Sequence, residues 1–103
     1  MKLDIHPEAA AEIQHHFDWY FERNPRVASR LADLFEATVV RIARDPLQFA
    51  LMEMRRNPGN IRRAMLKRFP LYVLYRITDE TVEVFAVPHT SQRPDYWKSR
   101  IST

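Results

Sequence analysis

The sequence predicts a single α+β domain in which an N-terminal strand and an antiparallel helical hairpin precede a three-stranded antiparallel meander and a short C-terminal tail. Two observations support this order. Apolar residues recur with the helical period in two segments of the first 45 residues, whereas three strand-like runs follow the only glycine. With 103 residues the chain can bury one core, so we expect one domain over residues 1–103.

The first half of the chain predicts an edge strand and the first helix. The stretch "KLDIH" alternates apolar and polar residues and ends at Pro7, which is typical of a short strand followed by a helix with proline in its first turn. We expect that helix from Glu8 to about Glu22. Its apolar stripe contains Ile13, Phe17, Tyr20 and Phe21. The run "FDWYF", with Trp19, is expected to supply bulk to the core.

The second helix is predicted by its ends. Asn24 is a favourable N-cap and Pro25 a favourable first helical residue, and Asp45 with Pro46 ends the helix. Because so few residues connect the two helices, they are expected to form an antiparallel hairpin.

The second half predicts the rest of a four-stranded, mainly antiparallel sheet. In "NPGN", Pro58 and Gly59 suit the centre of a type II turn, with Gly59 at positive φ. The runs "RRAMLKRF", "LYVLYRI" and "TVEVFAV" then form a meander, and the middle run is apolar enough to be a central strand covered on both sides. The hairpin should cover one face of the sheet. The predicted core comprises Ile13, Phe17, Leu31, Phe35, Ile42, Val73, Tyr75, Val84 and Ala86.

Alternation along the strands predicts which side chains share a face. In the first run of the meander, neither set of alternating residues is wholly apolar, so at least one face should be hydrated or meet a charged partner. In the last run, Val82, Val84 and Ala86 should share one face. Glu83, Phe85, Val87 and His89 should share the other, which places His89 beside the cationic strands.

Positive charge is concentrated in one segment. The net charge is +3, but between Met54 and Arg68 the chain carries six cations and no carboxylate. This asymmetry favours a phosphate-bearing or acidic partner, and a solvated sheet face is the alternative. The six predicted phosphate-binding or partner-binding residues are Arg55, Arg56, Arg62, Arg63, Lys67 and Arg68.

The C-terminal stretch "VPHTSQRPDYWKSR" contains the candidate catalytic residues His89, Arg93 and Tyr96. An imidazole can transfer a proton, arginine can hold a phosphate, and tyrosine can supply a hydroxyl or a stacking surface. In the alternative interpretation, His89 caps the strand end by hydrogen bonding and Arg93 pairs with Asp95 or Glu83. Trp97 and Ile101 predict an amphipathic tail that packs on the core.

Several classes of site have no support in the sequence. Cysteine is absent, the four histidines lack a metal-ligand spacing, and one glycine cannot build a phosphate loop. We therefore expect no metal site and no cofactor. No apolar run is long enough to span a membrane or to form a signal peptide, so a cytoplasmic protein without membrane contact is predicted.

The motifs in their order resemble the RelE/ParE toxins of type II toxin–antitoxin systems. The likeness covers nearly the whole chain through "HPEAAAEI", "DWYFERNP", "RIARDP", "IRRAMLKRFPLYVLYRI", "VEVFAVPH" and "RPDYWKSR". The resemblance implies a growth-arresting toxin neutralised by a cognate antitoxin in a hetero-oligomer.

Members of the family differ in their targets. The long hairpin and the tail resemble the ParE-like toxins that poison DNA gyrase, so gyrase is the first predicted target. The alternative is a RelE-like endoribonuclease acting on mRNA at the ribosome, for which Lys67, Arg68, Arg93 and Tyr96 are a loose match to the family's cations and late tyrosine. A general nucleic-acid binder with steep salt dependence is a third alternative.

Overall fold

The computed structural model describes residues 1–93 and 95–101. Pro94, part of the tail motif, lies outside this range. The elements are strand β1, helices α1 and α2, strands β2 to β4, and a short 3₁₀ turn. Their bounds are Lys2–Ile5 for β1, Pro7–Arg23 for α1, Pro25–Arg44 for α2, Arg62–Leu66 for β2, Leu71–Thr78 for β3, Thr81–Ala86 for β4 and Lys98–Arg100 for the 3₁₀ turn.

The four strands form one sheet in the order β1-β4-β3-β2. The β1 strand lies at one edge and pairs in parallel with β4, while β2, β3 and β4 form the predicted antiparallel meander. The β3 strand is buried from Leu71 to Tyr75, which confirms that it is central and covered on both sides. Asp79 and Glu80 both have positive φ in the hairpin that joins β3 to β4, as type I′ geometry requires.

The helical hairpin turns at one residue. Asn24 ends α1 and caps α2, where its side-chain oxygen accepts the Arg26 amide N–H at 3.1 Å. Pro7 and Pro25 open the two helices as predicted, since proline costs no hydrogen bond in a first turn. Of the helices in the described residues, none has the length and apolarity of a membrane span.

Two apolar clusters lie on opposite faces of the sheet. The cluster beneath the helices contains five of the predicted core residues, all fully buried, which confirms the prediction for them: Leu31, Ile42, Val73, Tyr75 and Val84. Ile13 and Phe35 pack against it and are partly buried. The cluster on the other face contains Ile61, Leu74, Phe85, Ala86 and Trp97, with Ile101 packed against it, so the prediction that the tail packs on the core is confirmed.

Two residues of the predicted core are placed elsewhere. Ala86 is buried, but on the face opposite the helices, because the register between β3 and β4 shifts at Leu74 and Tyr75. The same shift puts Phe85 and Ala86 in one cluster and Val87 in the other, so the predicted alternation was wrong beyond Val84. Phe17 is half-buried and stacks on Phe21 at the hairpin surface.

Three local predictions were also wrong. Gly59 does not have positive φ; the left-handed residue is Asn60, at φ 49°. The first run of the meander is a strand only as far as Leu66, because Arg68 adopts φ 74° and turns the chain toward β3. Trp19 and Phe21 are 47% and 53% exposed, so they do not belong to the core. In the described chain, Ala9 is the only fully buried residue of α1.

Candidate functional site

The C-terminal tail is held to α1 through one carboxylate. Glu12 projects from α1 at the point where β4 ends, and its Oε1 accepts the Val87 amide N–H at 2.9 Å. Tyr96 donates its hydroxyl to Oε2 at 2.7 Å, and Arg100 donates two guanidinium hydrogens at 2.8 and 3.1 Å. We call Glu12, Tyr96, Arg100 and the Val87 amide the Glu12 network. It joins a helix, a strand end and the tail.

The network fixes the protonation of its members. Burial alone would raise the pKa of Glu12, but hydrogen bonds from Arg100, Val87 and Tyr96 outweigh it and hold that pKa below its ordinary value. Burial and the bond to Glu12 raise the pKa of Tyr96 well above its ordinary value. The Tyr96 hydroxyl therefore stays protonated and committed to Glu12, which makes it a poor proton acceptor.

Arg100 completes the clasp between tail and helix. Its guanidinium also pairs with Glu8 at 2.7 Å and donates to the Phe85 carbonyl at 3.0 Å, and its side chain is only 11% exposed. The sequence interpretation missed this role of Glu12. The available signal was the pair Glu8 and Glu12 on one helical face, because two carboxylates four residues apart favour a nearby cation.

His89 organises the turn that follows β4. Its Nδ1 accepts the Ser91 amide N–H at 3.0 Å, and its own amide donates to the Gln92 side-chain oxygen at 2.7 Å. These bonds support the interpretation that His89 caps the strand end. Because Nδ1 accepts, the ring proton of a neutral His89 lies on Nε2, which has no partner among the described residues.

Arg93 and Tyr96 do not join His89 in one hydrogen-bonded group. No bond or ion pair within residues 1–93 and 95–101 connects His89, Arg93 and Tyr96. Arg93 is exposed, and the carboxylates predicted to pair with it have other partners, so that pairing was wrong. Glu83 pairs with Arg76 at 3.3 Å and Asp95 with Lys98 at 3.9 Å.

A cleft of about 450 Å³ lies beside His89. One wall is the face of α1 that carries His15, His16, Trp19 and Tyr20. The opposite wall is formed by Pro70 and Leu71 at the start of β3, together with His89 and Gln92. We call this the histidine cleft. Within the described residues no group of three or more His, Asp or Glu side chains is arranged to hold a metal ion.

Five of the six predicted partner-binding cations are exposed, and the sixth is half-buried. Arg55 and Arg56 are exposed in the segment before β2, Arg63 is exposed on β2, and Lys67 and Arg68 are exposed in the turn after it. None of these five has an ion pair in the described part of the chain. Arg62 differs, because it is half-buried and donates to the Phe49 carbonyl at 2.7 Å.

Comparison with known proteins identifies the family. The sequence model for the ParE toxin of the type II toxin–antitoxin system parDE matches residues 3–94. The chain belongs to the ParE toxin family. Two curated relatives called Toxin ParE2, from Mycobacterium tuberculosis strains CDC 1551 / Oshkosh and ATCC 25618 / H37Rv, are each 30% identical to it over 102 residues, which is 98% of this chain and 92% of theirs.

A solved structure has the same ParE fold. It is described as a chromosomal ParDE TA system from P. aeruginosa, and it superposes with a TM-score of 0.73 at 21% identity, covering 86% of this chain and 95% of the other. The α+β architecture predicted from the sequence and its assignment to the RelE/ParE toxins are therefore confirmed, and the chain is a toxin of a type II toxin–antitoxin system.

Proposed function

We propose that this ParE-family toxin arrests growth by inhibiting DNA gyrase and that it acts in the cytoplasm. The observation that carries the proposal is the match of the ParE toxin family over residues 3–94. The site geometry agrees with a toxin that acts by binding. Tyr96, the candidate that resembles the late tyrosine of the RelE-like nucleases, donates its hydroxyl to Glu12 and is therefore unsuited to accept a proton.

A ribosome-dependent endoribonuclease is the second candidate. The feature that favours it is His89, whose Nε2 is free beside a cleft and could transfer a proton. The exposed cations Arg93, four residues after His89, and Lys67 and Arg68, in the turn before β3, would bind phosphate. The two candidates make opposite predictions for mRNA during growth arrest.

Induction in a host that lacks the antitoxin distinguishes them. We expect growth arrest with intact messages by primer extension and with gyrase-dependent breaks in the chromosome. Codon-phased cuts that disappear in His89→Ala or Arg93→Ala, with no breaks in DNA, would instead assign the endonuclease. Normal growth after induction would reject both candidates, and general nucleic-acid binding would remain as the third alternative.

We further propose that the cognate antitoxin combines apolar anchors with acidic residues. A second cleft, of about 480 Å³, runs along the hairpin and beneath β1, and its walls include Ile5, Ile13, Phe17, Leu31 and Phe35. Apolar side chains of a partner would bury this surface. Acidic residues would reach the five exposed cations around β2, and the antitoxin segment would order as it binds.

A further inference from the structure

The histidine cleft offers hydrogen-bonding groups whose roles are fixed by bonds elsewhere. His16 Nε2 lies 3.0 Å from the Val87 carbonyl, an acceptor, so this nitrogen carries the ring proton. Burial lowers the pKa of His16, which keeps the ring neutral and leaves Nδ1 as an acceptor. His89 presents Nε2–H as a donor, and Gln92, whose oxygen is taken by the His89 amide, keeps its NH₂ as a second donor.

Aromatic surface accompanies these groups. Trp19 is 47% exposed at the cleft wall, and its ring meets the Tyr20 ring edge-on, with centroids 4.9 Å apart. Tyr20 is in turn fixed edge-on against Phe69, at 5.2 Å. The Arg23 guanidinium lies over the Trp19 ring, 3.7 Å from its centroid, and covers one face of the indole. A flat ring can therefore stack only on the opposite face of the indole, in a residue that is 47% exposed overall.

Cations in the turn that precedes the cleft wall favour a ligand whose flat ring carries an anionic group. No carboxylate lines the cleft within the described residues. Lys67 and Arg68, both exposed and without an ion pair in the described chain, lie in the turn that leads directly into Pro70 and Leu71 of the cleft wall. The volume, about 450 Å³, is within the range of pockets that hold small organic ligands.

We propose that the histidine cleft binds a nucleotide, with its base on the face of Trp19 opposite Arg23 and its phosphate at the turn of Lys67 and Arg68. A base has a planar face for stacking and an edge with both donors and acceptors, which fits the two donors and one acceptor of the cleft. The residues that line the cleft are not members of the Glu12 network, to which His16 is linked through the Val87 carbonyl, and the site does not depend on the identity of the toxin's target.

Titration followed by NMR of the full chain tests the proposal with adenosine 5′-monophosphate and adenosine as probes. We expect saturable shifts of the Trp19 indole and the His89 ring with the monophosphate, and binding of adenosine weaker by about tenfold because it lacks the charged group. Trp19→Ala should weaken the binding of both probes by about tenfold or more, because stacking of the base contributes that much to the affinity. Trp19 is half-exposed, so this variant should fold.

A charge-matched pair of variants separates the phosphate contact from overall charge. Lys67→Ala with Arg68→Ala should reduce monophosphate binding to the level of adenosine, whereas Lys2→Ala with Arg44→Ala, which removes two exposed cations elsewhere, should leave it unchanged. A short single-stranded oligonucleotide serves as a second probe. If it binds more tightly than the monophosphate, the ligand is a nucleotide within a strand. If the two bind equally, the ligand is a free nucleotide. Absence of saturable shifts at millimolar monophosphate, or an equal loss in both double variants, would overturn the proposal.

Discussion

At the scale of single residues, Glu12 joins three parts of the molecule, namely a helix, the end of a strand and the tail, although the sequence did not single it out. Its carboxylate accepts hydrogen bonds from the end of β4 and from two tail residues, Tyr96 and Arg100. Glu12→Ala would leave the Arg100 guanidinium and the Tyr96 hydroxyl without their partner. We expect a loss of about 2–4 kcal/mol in the free energy of unfolding, below the value for fully buried pairs because Glu12 is 18% exposed.

Urea denaturation measures this loss, and Glu8→Ala is the matched control. Glu8 pairs with the same guanidinium, but its side chain is 60% exposed, so we expect about 0–1 kcal/mol. Equal effects of the two substitutions would show that Glu12 is an ordinary surface carboxylate.

Glu12 and His16 make stability depend on pH in the acid range. The pKa of Glu12 is lower in the folded protein than its ordinary value of 4.5, and burial lowers the pKa of His16 from 6.5. In both cases the unfolded chain binds more protons, so stability falls as the pH decreases. We expect the free energy of unfolding to decrease below about pH 6.5 and again below about pH 4.5. His16→Gln should abolish the first decrease, and Glu12→Gln should abolish the second. Urea midpoints measured from pH 8 to pH 3 test both, and unchanged curves in the variants would contradict this assignment.

At the scale of elements, β3 holds the two faces of the domain together. Val73 is fully buried between the helices and the sheet, so Val73→Asp should prevent folding because its charge cannot be solvated. Ile77, at the exposed end of the same strand, is 41% accessible, and Ile77→Asp should remain soluble. A cooperative thermal transition for the Val73 variant would show that the central strand is misplaced.

The tail contributes mainly by packing. Trp97 is fully buried, and its indole N–H has no acceptor in the described part of the chain. Trp97→Ala should lower the free energy of unfolding by about 3–5 kcal/mol, as expected for a large buried ring. Trp97→Phe should lower it much less, because it keeps most of the ring and loses no hydrogen bond. A Phe variant as unstable as the Ala variant would indicate a bonded indole instead.

Much of the element order could be read from the sequence, since proline, Asn24 and apolar periodicity are local signals. Features that depend on distant residues could not. The shift of register that moves Ala86 to the other face arises from pairing between β3 and β4. The Glu12 network joins residues more than 70 positions apart, and no local pattern links them. In the turn before β2, Asn57 bonds to Ile61, so Asn60 rather than Gly59 adopts positive φ.

At the scale of the whole molecule, positive charge is concentrated at one edge of the sheet. Arg56 and Arg63 are exposed there, whereas reversal of Arg62 would also break its bond to Phe49. We expect the double change of Arg56 and Arg63 to Glu to slow antitoxin association by about tenfold at low salt and far less at high salt.

The control for this measurement lies at the opposite edge. Lys2 is exposed on β1, and Arg44 follows Ala43, whose carbonyl accepts the N-terminal ammonium. Changing both to Glu alters the net charge equally, and we expect a much smaller effect on the association rate in stopped-flow experiments. Equal slowing by the two pairs would mean that net charge, rather than the β2 edge, steers the antitoxin.

The central claim is that this ParE-family toxin acts on gyrase, and purified components test it most directly. Toxin is incubated with gyrase and supercoiled plasmid, the reaction is stopped with detergent and protease, and linear DNA is quantified. We expect dose-dependent trapping of cleaved plasmid that the antitoxin reverses and that Val73→Asp cannot produce. Supercoiling without cleaved plasmid at any dose of folded toxin would contradict the account.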